Sequence, residues 1–280
     1  MKAQVDTGPP GVADLHMHSL FSDGKHAPAQ VMEMAASSGL AAVALTDHDT
    51  MEGLAPALQA ARRHGVRLIP GMEISSCQGS QELHLLAWHF DPDHGGLRQA
   101  MDSLASARRR RLEAMLKALA AAGAPILQQA VLDRSGGHVP GRPHMAAALV
   151  AAGHATSVQD AFDRWIGNNC PGFVPLERLS AQRAITLVKA AGGVTGLAHP
   201  GLARAGRVIP ELVRLGLDAL ECDHPAHDTG RRRQFQQTAS RYNLVPTAGS
   251  DFHGDSQRHG RVGSERSSED TLKTLEARRP

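Results

Sequence analysis

Asp14-Leu15-His16-Met17-His18 lies near the N-terminus, and the carboxylate Asp23 follows five residues later. In a β-strand, residues two apart point to the same face, so His16 and His18 would project together while the intervening apolar residues pack on the other side. Two imidazoles and a nearby carboxylate suit Zn, Mn or Fe, and the lack of a neighbouring thiolate argues against a closed structural zinc site. The stretch predicts a metal-chelating strand end, although His-x-His alone is common and needs further ligands to be specific.

The bulk composition describes a folded chain without a dominant charge. With 280 residues, of which 41% are hydrophobic, the chain can bury a full core, and its length fits one barrel-sized domain or a domain with an insertion. A net charge of +2 gives no global signal for polyanion binding. Three widely spaced cysteines fit a reducing compartment. With no visible signal peptide or apolar run of membrane-spanning length, a cytoplasmic location is the default expectation.

Short apolar strands separated by helices predict an α/β fold of parallel βα units. Seven strands are expected, over residues 12–18, 41–45, 66–70, 83–88, 193–198, 217–222 and 244–248. The rhythm breaks at residues 91–175, where Ala/Arg-rich helices and a Gly/Pro loop predict a helical insertion domain. Residues 1–90 and 176–263 would form one discontinuous barrel domain, and the polar residues 264–280 an exposed helix or a frayed tail.

Metal-competent side chains recur where the predicted strands end. In a parallel barrel the loops after the strands converge on one face, so these side chains would meet there. The set contains nine candidate metal ligands: His16, His18, Asp23, His48, Glu73, His84, His199, Asp251 and His253. Nine ligands are too many for one ion and suit a cluster of two or three divalent cations, which generate hydroxide and clamp phosphoryl oxygens.

Each of these residues also has an ordinary structural alternative. His84 could be a hydrogen-bonded core histidine, and Glu73 could cap a helix or form a salt bridge. Asp49 is expected to be a charge at a helix N-terminus, and Asp47 to hold a histidine or the loop. The alternatives weaken jointly, because burying so many imidazoles and carboxylates without a metal would be costly.

A second motif predicts anion binding. Arg142 and His144 lie just ahead of a predicted helix over residues 145–152, where a planar guanidinium and helix N–H groups could hold a phosphate. An exposed arginine and a helix-capping histidine is the structural alternative. The run 108–111 consists of four arginines that cover every face of a helix, so most are solvated, with one or two turned towards an anionic substrate.

Taken together, these motifs resemble the polymerase and histidinol phosphatase (PHP) family of metal-dependent phosphoesterases. The insertion motif Gly141-Arg-Pro-His144, with residues 161–164 and 171–175, is similar to the nucleoside 3′,5′-bisphosphate phosphatases, whose relatives also trim RNA 5′ ends. One departure is Cys222-Asp223-His224, where an aromatic residue is expected. The resemblance implies a distorted (β/α)7 TIM-like barrel with a trinuclear site, usually of Mn, Fe or Zn, with Mn the first expectation. It groups the ligands as His16, His18, Glu73 and Asp251 for one ion, Glu73, His84 and His199 for a second, and Asp23, His48 and His253 for a third.

The sequence thus predicts a phosphomonoesterase in which a metal-bridging hydroxide attacks phosphorus. Arg142 and His144 would hold the phosphate, with Asp23, Arg108 and Arg111 as further substrate contacts. His224, or His144 itself, would protonate the leaving alkoxide. The expected partner is a small phosphorylated nucleotide or a short RNA, with no membrane and no obligate protein partner.

Three alternatives remain open at this point. The same chemistry could act on histidinol phosphate or on RNA 5′ ends. A metal-centred barrel could hydrolyse C–N bonds as an amidohydrolase. The chain could also be a non-catalytic, metal-dependent binding or accessory module.

Overall fold

The computed structural model describes residues 12–136, 138–202, 205–254 and 260–280, and shows an α/β barrel surrounded by helices. Seven strands form one sheet in the order β1-β2-β3-β4-β6-β7-β8, and a short β5 pairs with β3 outside this path. The strands are β1 (Ala13–Asp14), β2 (Ala42–Leu45), β3 (Arg67–Gln78), β4 (Gln81–Trp88), β5 (Leu179–Ser180), β6 (Val194–Leu197), β7 (Ala219–Asp223) and β8 (Val245–Ala248). The predicted α/β barrel is confirmed.

Ten α-helices surround the barrel or form the segment between β4 and β5. They are α1 (Pro28–Ser37), α2 (Leu54–His64), α3 (Gly95–Ala121), α4 (Gln128–Arg134), α5 (Arg142–Ala151), α6 (Val158–Ala161), α7 (Ala181–Ala190), α8 (Ile209–Arg214), α9 (Thr229–Arg241) and α10 (Glu269–Ala277). A π-helical turn, Phe162–Ile166, follows α6, and a 3₁₀ turn, Ala205–Arg207, precedes α8. None of the described helices combines the length and apolar character needed to cross a bilayer.

The prediction of an all-parallel barrel is wrong for β4. Strand β3 continues to Gln78 and returns through Gly79-Ser80, so that Gln78 pairs with Gln81 in an antiparallel hairpin. Gly79 has φ +58°, a left-handed conformation that glycine adopts readily. β4 is antiparallel to β6 as well as to β3. His84, early in β4, therefore lies beside Ser75 near the carboxyl ends of the parallel strands.

The barrel closes incompletely between β1 and β8. The Leu15 N–H donates to the Ala248 carbonyl over 3.4 Å, and the His18 N–H donates to the Phe252 carbonyl over 2.8 Å. At the other end of this seam, the Ser267 backbone pairs with Ala13 and its hydroxyl accepts from the Ala248 N–H. Residues that follow β1 and β8, including His16, His18 and Asp251, are thus held close together at the barrel mouth.

Two features concern the chain segments outside the barrel. Residues 269–277 form α10, a largely exposed helix in which Leu272 and Leu275 are buried against the barrel core. The segment between β4 and β5 has its own hydrophobic cluster, which includes Leu119, Leu149 and Ile166. The domain boundaries predicted from the sequence remain predictions.

Gly196 in β6 leaves room for a large core side chain. A Cβ at this position would lie 2.7 Å from two ring carbons of the fully buried Trp88 and 3.2 Å from the Ala219 Cβ. We expect Gly196→Ala to lower the free energy of unfolding by about 1–3 kcal/mol, because overpacking strains a close-packed core. Thermal unfolding would measure this as a Tm lowered by about 2–4 °C per kcal/mol. Gly95→Ala, at the start of α3 with no atom within 4 Å of a new Cβ, should leave Tm unchanged or raised; equal Tm values for the two variants would contradict the packing account.

Candidate metal centre

Glu73 is the central residue of the barrel mouth, and its carboxylate faces five imidazoles. The side chain is fully buried on β3. Oε2 lies 3.1 Å from His16 Nε2, 3.1 Å from His18 Nε2 and 3.3 Å from His48 Nδ1. Oε1 lies 2.8 Å from His84 Nδ1 and 3.0 Å from His199 Nε2. A carboxylate with this arrangement can bridge two cations.

His16 and His18 complete a first cluster with Glu73 and Asp251. The two Nε2 atoms are 3.1 Å apart and lie 3.2 and 3.3 Å from Asp251 Oδ1. Ligand atoms bound about 2.0–2.2 Å from one ion are about 3–3.5 Å from one another, so this spacing matches the edges of a coordination shell. The two imidazoles share one face, and all four residues are buried. The predicted strand over residues 12–18 is shorter than expected, because β1 ends at Asp14 and Met17 forms only an isolated parallel bridge with Phe252.

A second cluster lies at the part of the barrel mouth that is next to the loop carrying Asp23. It contains His18, Asp23, His48 and His253, with His253 Nε2 3.2 Å and His48 Nε2 3.8 Å from Asp23 Oδ1. A third group combines His48, Glu73 and His84. The resemblance grouped His84 and Glu73 with His199, whereas the observed third group contains His48 in place of His199. His199 still contacts Glu73, which the groups share.

Several ligand-type atoms in these clusters form no well-directed hydrogen bond. Asp23 Oδ1, His48 Nδ1, His84 Nδ1 and His199 Nδ1 are buried without one among the described residues. The first three lie 3.2, 3.3 and 2.8 Å from charged partners, His253 Nε2, Glu73 Oε2 and Glu73 Oε1. Because buried polar atoms are normally satisfied, imidazole nitrogens that face carboxylates without hydrogen-bond geometry are suited to share a cation with them. Nitrogen and oxygen ligands without thiolate suit Zn, Mn or Fe. The donor set therefore fits divalent cations.

The electrostatics of Glu73 point the same way. Burial alone would raise the pKa of its carboxyl, but the surrounding imidazoles of His48, His16 and His84 hold the pKa well below its ordinary value. The carboxylate is therefore ionised and needs positive charge around it, which bound cations would also supply.

Two of the candidate ligands lie on strained backbone. His199 has φ +25° and Asp251 has φ +51°, in the region that non-glycine residues rarely adopt. Such conformations cost free energy and persist at functional sites because the surrounding structure imposes them. The loops after β6 and β8 thus aim these two side chains at Glu73 and His16 at a cost to stability.

Glu221 is a site residue that the sequence analysis missed. It is buried on β7, its Oε1 lies 2.9 Å from His16 Nδ1, and its Oε2 accepts the His199 N–H over 2.6 Å. A carboxylate on the outer nitrogen of a ligating histidine fixes the tautomer and orientation of the ring and raises its basicity. The sequence contained one indication of this role, because an acid between Leu220 and Cys222 in a buried strand needs a partner.

We expect Glu221→Gln to weaken Mn²⁺ binding by about 10- to 100-fold, because outer carboxylates of this kind contribute that much to metal affinity. Equilibrium dialysis with metal analysis measures the effect independently of activity. Glu113→Gln, an exposed change on α3, is the matched control. A Glu221→Gln protein that binds Mn²⁺ as tightly as the unchanged chain would show that Glu221 does not support the ligands.

Asp47 and Asp49 hold the loops around the centre. Asp47 accepts from the Ser19 N–H, the Ser19 hydroxyl and the Ser22 hydroxyl, which fixes the loop that carries Asp23. The expectation that Asp49 lies at a helix N-terminus is wrong, because α2 begins only at Leu54. Its carboxylate instead accepts from the Ser75 N–H over 2.6 Å and pairs with Arg108.

The arginine run on α3 is half exposed and half partly buried, and the predicted contact of one or two of its members with a substrate stays a prediction. Arg109 and Arg110 are exposed, whereas Arg108 and Arg111 are half-buried. Arg108 pairs with Asp49 and donates to the Ser75 hydroxyl over 3.0 Å. Arg111 Nε donates to the Val174 carbonyl over 2.6 Å, but its buried Nη2 has no partner among the described atoms. One donor of Arg111 is therefore available to a ligand.

Arg142 completes a small cavity of cationic character, which we call the arginine pocket. Its lining includes Arg108, Arg111, Gly141 and Arg142. Helix α5 begins at Arg142 itself, three residues earlier than predicted, and the Arg142 guanidinium lies over the rings of Phe162 and Phe173. Burial, together with the charges of Arg142 and Arg108, lowers the pKa of Arg111 to about 10. Asp49 neutralises Arg108, whereas Arg111 and Arg142 have no salt-bridge partner among the described residues, and such unpaired guanidinium groups suit an anion.

His144 lies between the arginine pocket and the metal centre. Its Nδ1 accepts the Gly141 N–H over 3.0 Å, which leaves the proton of the neutral ring on Nε2 as a donor. Burial lowers its pKa, while the charge of Asp23 raises it and that of Arg108 lowers it. The ring is therefore neutral at pH 7 and can donate one hydrogen bond to an anion without adding charge.

His224 lies beside the metal centre with both ring nitrogens in contact with protein groups. Its Nδ1 accepts the Ala226 N–H, so the ring proton is on Nε2, which lies 3.3 Å from Asp251 Oδ2. Both nitrogens are engaged within the protein, and the ring is buried. The contacts make His224 an orienting group for Asp251, and its service as a general acid stays a prediction.

A barrel whose mouth gathers imidazoles and carboxylates around a shared glutamate has the ligand arrangement of a metal-dependent hydrolase. Comparison with known proteins defines the family. Residues 14–134 match the PHP domain, and the chain belongs to the PHP family of metal-dependent phosphoesterases.

Three curated relatives cover most of the chain. A 3′,5′-nucleoside bisphosphate phosphatase from Chromobacterium violaceum is 32% identical over 89% of this chain and 90% of its own length. The 5′-3′ exoribonuclease Rnm of Escherichia coli is 30% identical over 89% of this chain and 87% of its own. A phosphoribosyl 1,2-cyclic phosphate 1,2-diphosphodiesterase from Eggerthella lenta is 30% identical over 90% of this chain and 98% of its own. All three cleave phosphate esters by name, so the protein is a hydrolase of such bonds.

A solved structure supports the same placement of the elements. A protein from Bifidobacterium adolescentis, proposed to be a metal-dependent phosphoesterase, superposes with a TM-score of 0.89 at 32% identity and covers 98% of both chains. The agreement extends over the barrel and the helical segment between β4 and β5.

Proposed function

We propose that the protein hydrolyses the 3′-phosphate of nucleoside 3′,5′-bisphosphates. The observation that carries this proposal is the arginine pocket beside the metal centre, in which Arg111 keeps a buried donor without a partner. A bisphosphate needs two anion sites, one where the bond breaks and one that holds the other phosphate. We assign the bond that breaks to the metal centre and the second phosphate to the guanidinium groups at the mouth of the arginine pocket, whose enclosed volume is about 10 Å³.

The reaction is a displacement at phosphorus. Water adds to the 3′-phosphate, the P–O3′ bond breaks, and the products are inorganic phosphate and a nucleoside 5′-phosphate with a free 3′-hydroxyl. Two or three divalent cations, of which Mn²⁺ is our first choice, would supply an activated water and neutralise the phosphoryl oxygens when bound. The nine side chains that would hold them are those gathered around Glu73, Asp23 and Asp251.

The remaining side chains bind and orient the substrate. Arg142 and Arg111 hold the 5′-phosphate, with Arg108 fixed behind them by Asp49. His144 donates from Nε2 to the reacting phosphate, because its ring lies on the side of Asp23 and its Nδ1 is occupied by Gly141. Asp23, on a loop held by Asp47, closes the site beside the reacting phosphate.

Trimming of RNA from the 5′ end is a second candidate function. The same P–O3′ bond is broken, since the 5′-terminal nucleotide of a phosphorylated RNA is a bisphosphate whose 3′-phosphate carries the rest of the chain. The similarity to exoribonuclease Rnm favours it. The arginine pocket weighs against histidinol phosphate, an amide and a purely structural module, because none of these offers it a second phosphate.

The experiment measures hydrolysis by the Mn²⁺-loaded protein, as inorganic phosphate released from the monoesters and as products separated by chromatography for the RNA and the cyclic phosphate. Adenosine 3′,5′-bisphosphate would be compared with histidinol phosphate, an aryl phosphate, a phosphoribosyl cyclic phosphate and a short 5′-phosphorylated RNA. The proposal predicts the highest kcat/KM for the bisphosphate. Preference for RNA would recast the protein as an exonuclease, preference for the cyclic phosphate would recast it as a diesterase, and no hydrolysis of any of these substrates would refute the proposal.

A further inference from the structure

A second cationic groove lies between helices α8 and α9. It has a volume of about 410 Å³, and its polar lining is formed by Arg207, Arg231, Gln234 and Thr238. Both arginines are exposed. Neither has a salt-bridge partner within the described ranges, and no carboxylate lines the groove. The proposed bisphosphatase reaction does not use it.

The groove begins at the edge of the metal centre. Its inner end is formed by Pro200 and Gly201, which directly follow the candidate ligand His199. The wall between the two sites is fixed by His227, whose Nε2 accepts the Gly201 N–H over 3.2 Å and whose ring lies 4.8 Å from that of Phe235. Phe235 itself lines the groove. A chain leaving the metal centre between the loops after β6 and β7 therefore enters this groove.

Charge distinguishes this groove from the larger one on the molecule. The cavity between α2 and α3, of about 710 Å³, has Asp49, Glu52, Asp93 and Asp102 in its lining together with two arginines. Such a surface repels a polyanion. The α8/α9 groove combines two arginines and two neutral hydrogen-bonding side chains with apolar residues that include Ile209 and Phe235, and its lining contains no acid, which suits a nucleic-acid backbone.

The α8/α9 groove and the arginine pocket lie on different sides of the metal centre. Arg108 of the arginine pocket bonds Asp49 and Ser75, beside β2 and β3, whereas the groove follows β6 and β7. A phosphorylated RNA could thus place its 5′-phosphate in the pocket, its first phosphodiester at the metal centre, and its following nucleotides in the groove.

We propose that the α8/α9 groove binds the phosphate backbone of single-stranded RNA on the 3′ side of the bond that is cleaved. Arg207 and Arg231 contact phosphates, and Gln234 and Thr238 contact sugar hydroxyls or further phosphate oxygens. This inference rests on the proposed phosphoesterase function, and it explains how one centre can accept both a bisphosphate and a longer chain.

The test is the affinity of full-length protein for a 5′-phosphorylated ten-nucleotide RNA labelled at its 3′ end, measured by fluorescence anisotropy. An Asp23→Asn background keeps the RNA intact. We expect Arg207→Ala/Arg231→Ala to weaken binding at least tenfold and to reduce the salt slope of log K by about 1.4, as expected for two lost contacts to a single strand. Arg183→Ala/Arg233→Ala removes the same number of exposed charges from α7 and α9 and should leave binding within about twofold.

Activity of the same charge variants with Asp23 restored separates this inference from the proposed function. Arg207→Ala/Arg231→Ala should hydrolyse adenosine 3′,5′-bisphosphate like the unchanged protein while trimming RNA at least tenfold more slowly. RNA binding and trimming equal to those of the control double variant would overturn the groove assignment and leave the bisphosphatase proposal standing. An unchanged protein inactive on the bisphosphate would refute the proposed function, and the binding comparison would still decide the groove.

Discussion

Glu73→Gln is expected to lower kcat/KM for every phosphate ester by at least about 10³-fold and to remove at least one equivalent of bound metal. The carboxylate lies within 3.3 Å of nitrogens from five histidines, all of which are candidate ligands. A glutamine keeps the shape but supplies one neutral oxygen in place of a bridging anion. Even residues that only orient ligands contribute 10- to 100-fold, so a bridging ligand should contribute more.

Metal content and activity would be measured on the same preparation, with circular dichroism to verify folding. Glu177→Gln is the control, because this glutamate is largely exposed and pairs with Arg110 on the surface. A folded Glu73→Gln protein with a full complement of metal and an unchanged rate would contradict the assignment of Glu73 as the bridging ligand.

Arg142→Ala is expected to change substrate preference more than basal chemistry. Hydrogen bonds to charged groups contribute about 1.5–3 kcal/mol, so kcat/KM for adenosine 3′,5′-bisphosphate should fall about 10- to 150-fold. An aryl phosphate has no second phosphate for the pocket, and its kcat/KM should fall less than about threefold. Arg142→Lys should recover part of the loss, because an ammonium keeps the charge but not the planar fork of donors.

Arg110→Ala is the control for this prediction, since Arg110 lies on the same basic run of α3 but pairs with Glu177 on the surface. It should affect neither substrate. Equal losses for the bisphosphate and the aryl phosphate in Arg142→Ala would mean that Arg142 acts on the reacting phosphate rather than on the second one.

The barrel class and the set of side chains gathered around Glu73 were predictable because strand periodicity and strand-end position are local properties of the sequence. The hairpin of β3 and β4 was not predictable in this way. Gly71 follows the apolar run of the predicted strand over residues 66–70, which suggests that the strand ends there. In the structure it continues the strand, and a Cβ there would lie 2.7 Å from the Leu45 carbonyl oxygen. The glycine therefore permits close approach of β2, which no local pattern distinguishes from a turn.

The supporting residues were harder to predict than the candidate ligands. Glu221 lies in an apolar strand, and its function depends on His16 and His199, which are distant in sequence. Asp49 was assigned to the nearest helix start, whereas its partner Arg108 comes from α3, 59 residues away. Pairings of this kind depend on how the helical segment packs on the barrel mouth, and periodicity carries no information about that contact.

Product analysis after hydrolysis of adenosine 3′,5′-bisphosphate tests the central claim most directly. The Mn²⁺-loaded protein would be incubated with the bisphosphate, and the nucleotide products separated by chromatography, with 3′-AMP as a second substrate that lacks the 5′-phosphate. We predict adenosine 5′-phosphate and inorganic phosphate as the products, and a kcat/KM for 3′-AMP that is at least tenfold lower. Formation of adenosine 3′-phosphate, or equal kcat/KM values for the two substrates, would contradict a metal centre that cleaves the P–O3′ bond while the arginine pocket holds the 5′-phosphate.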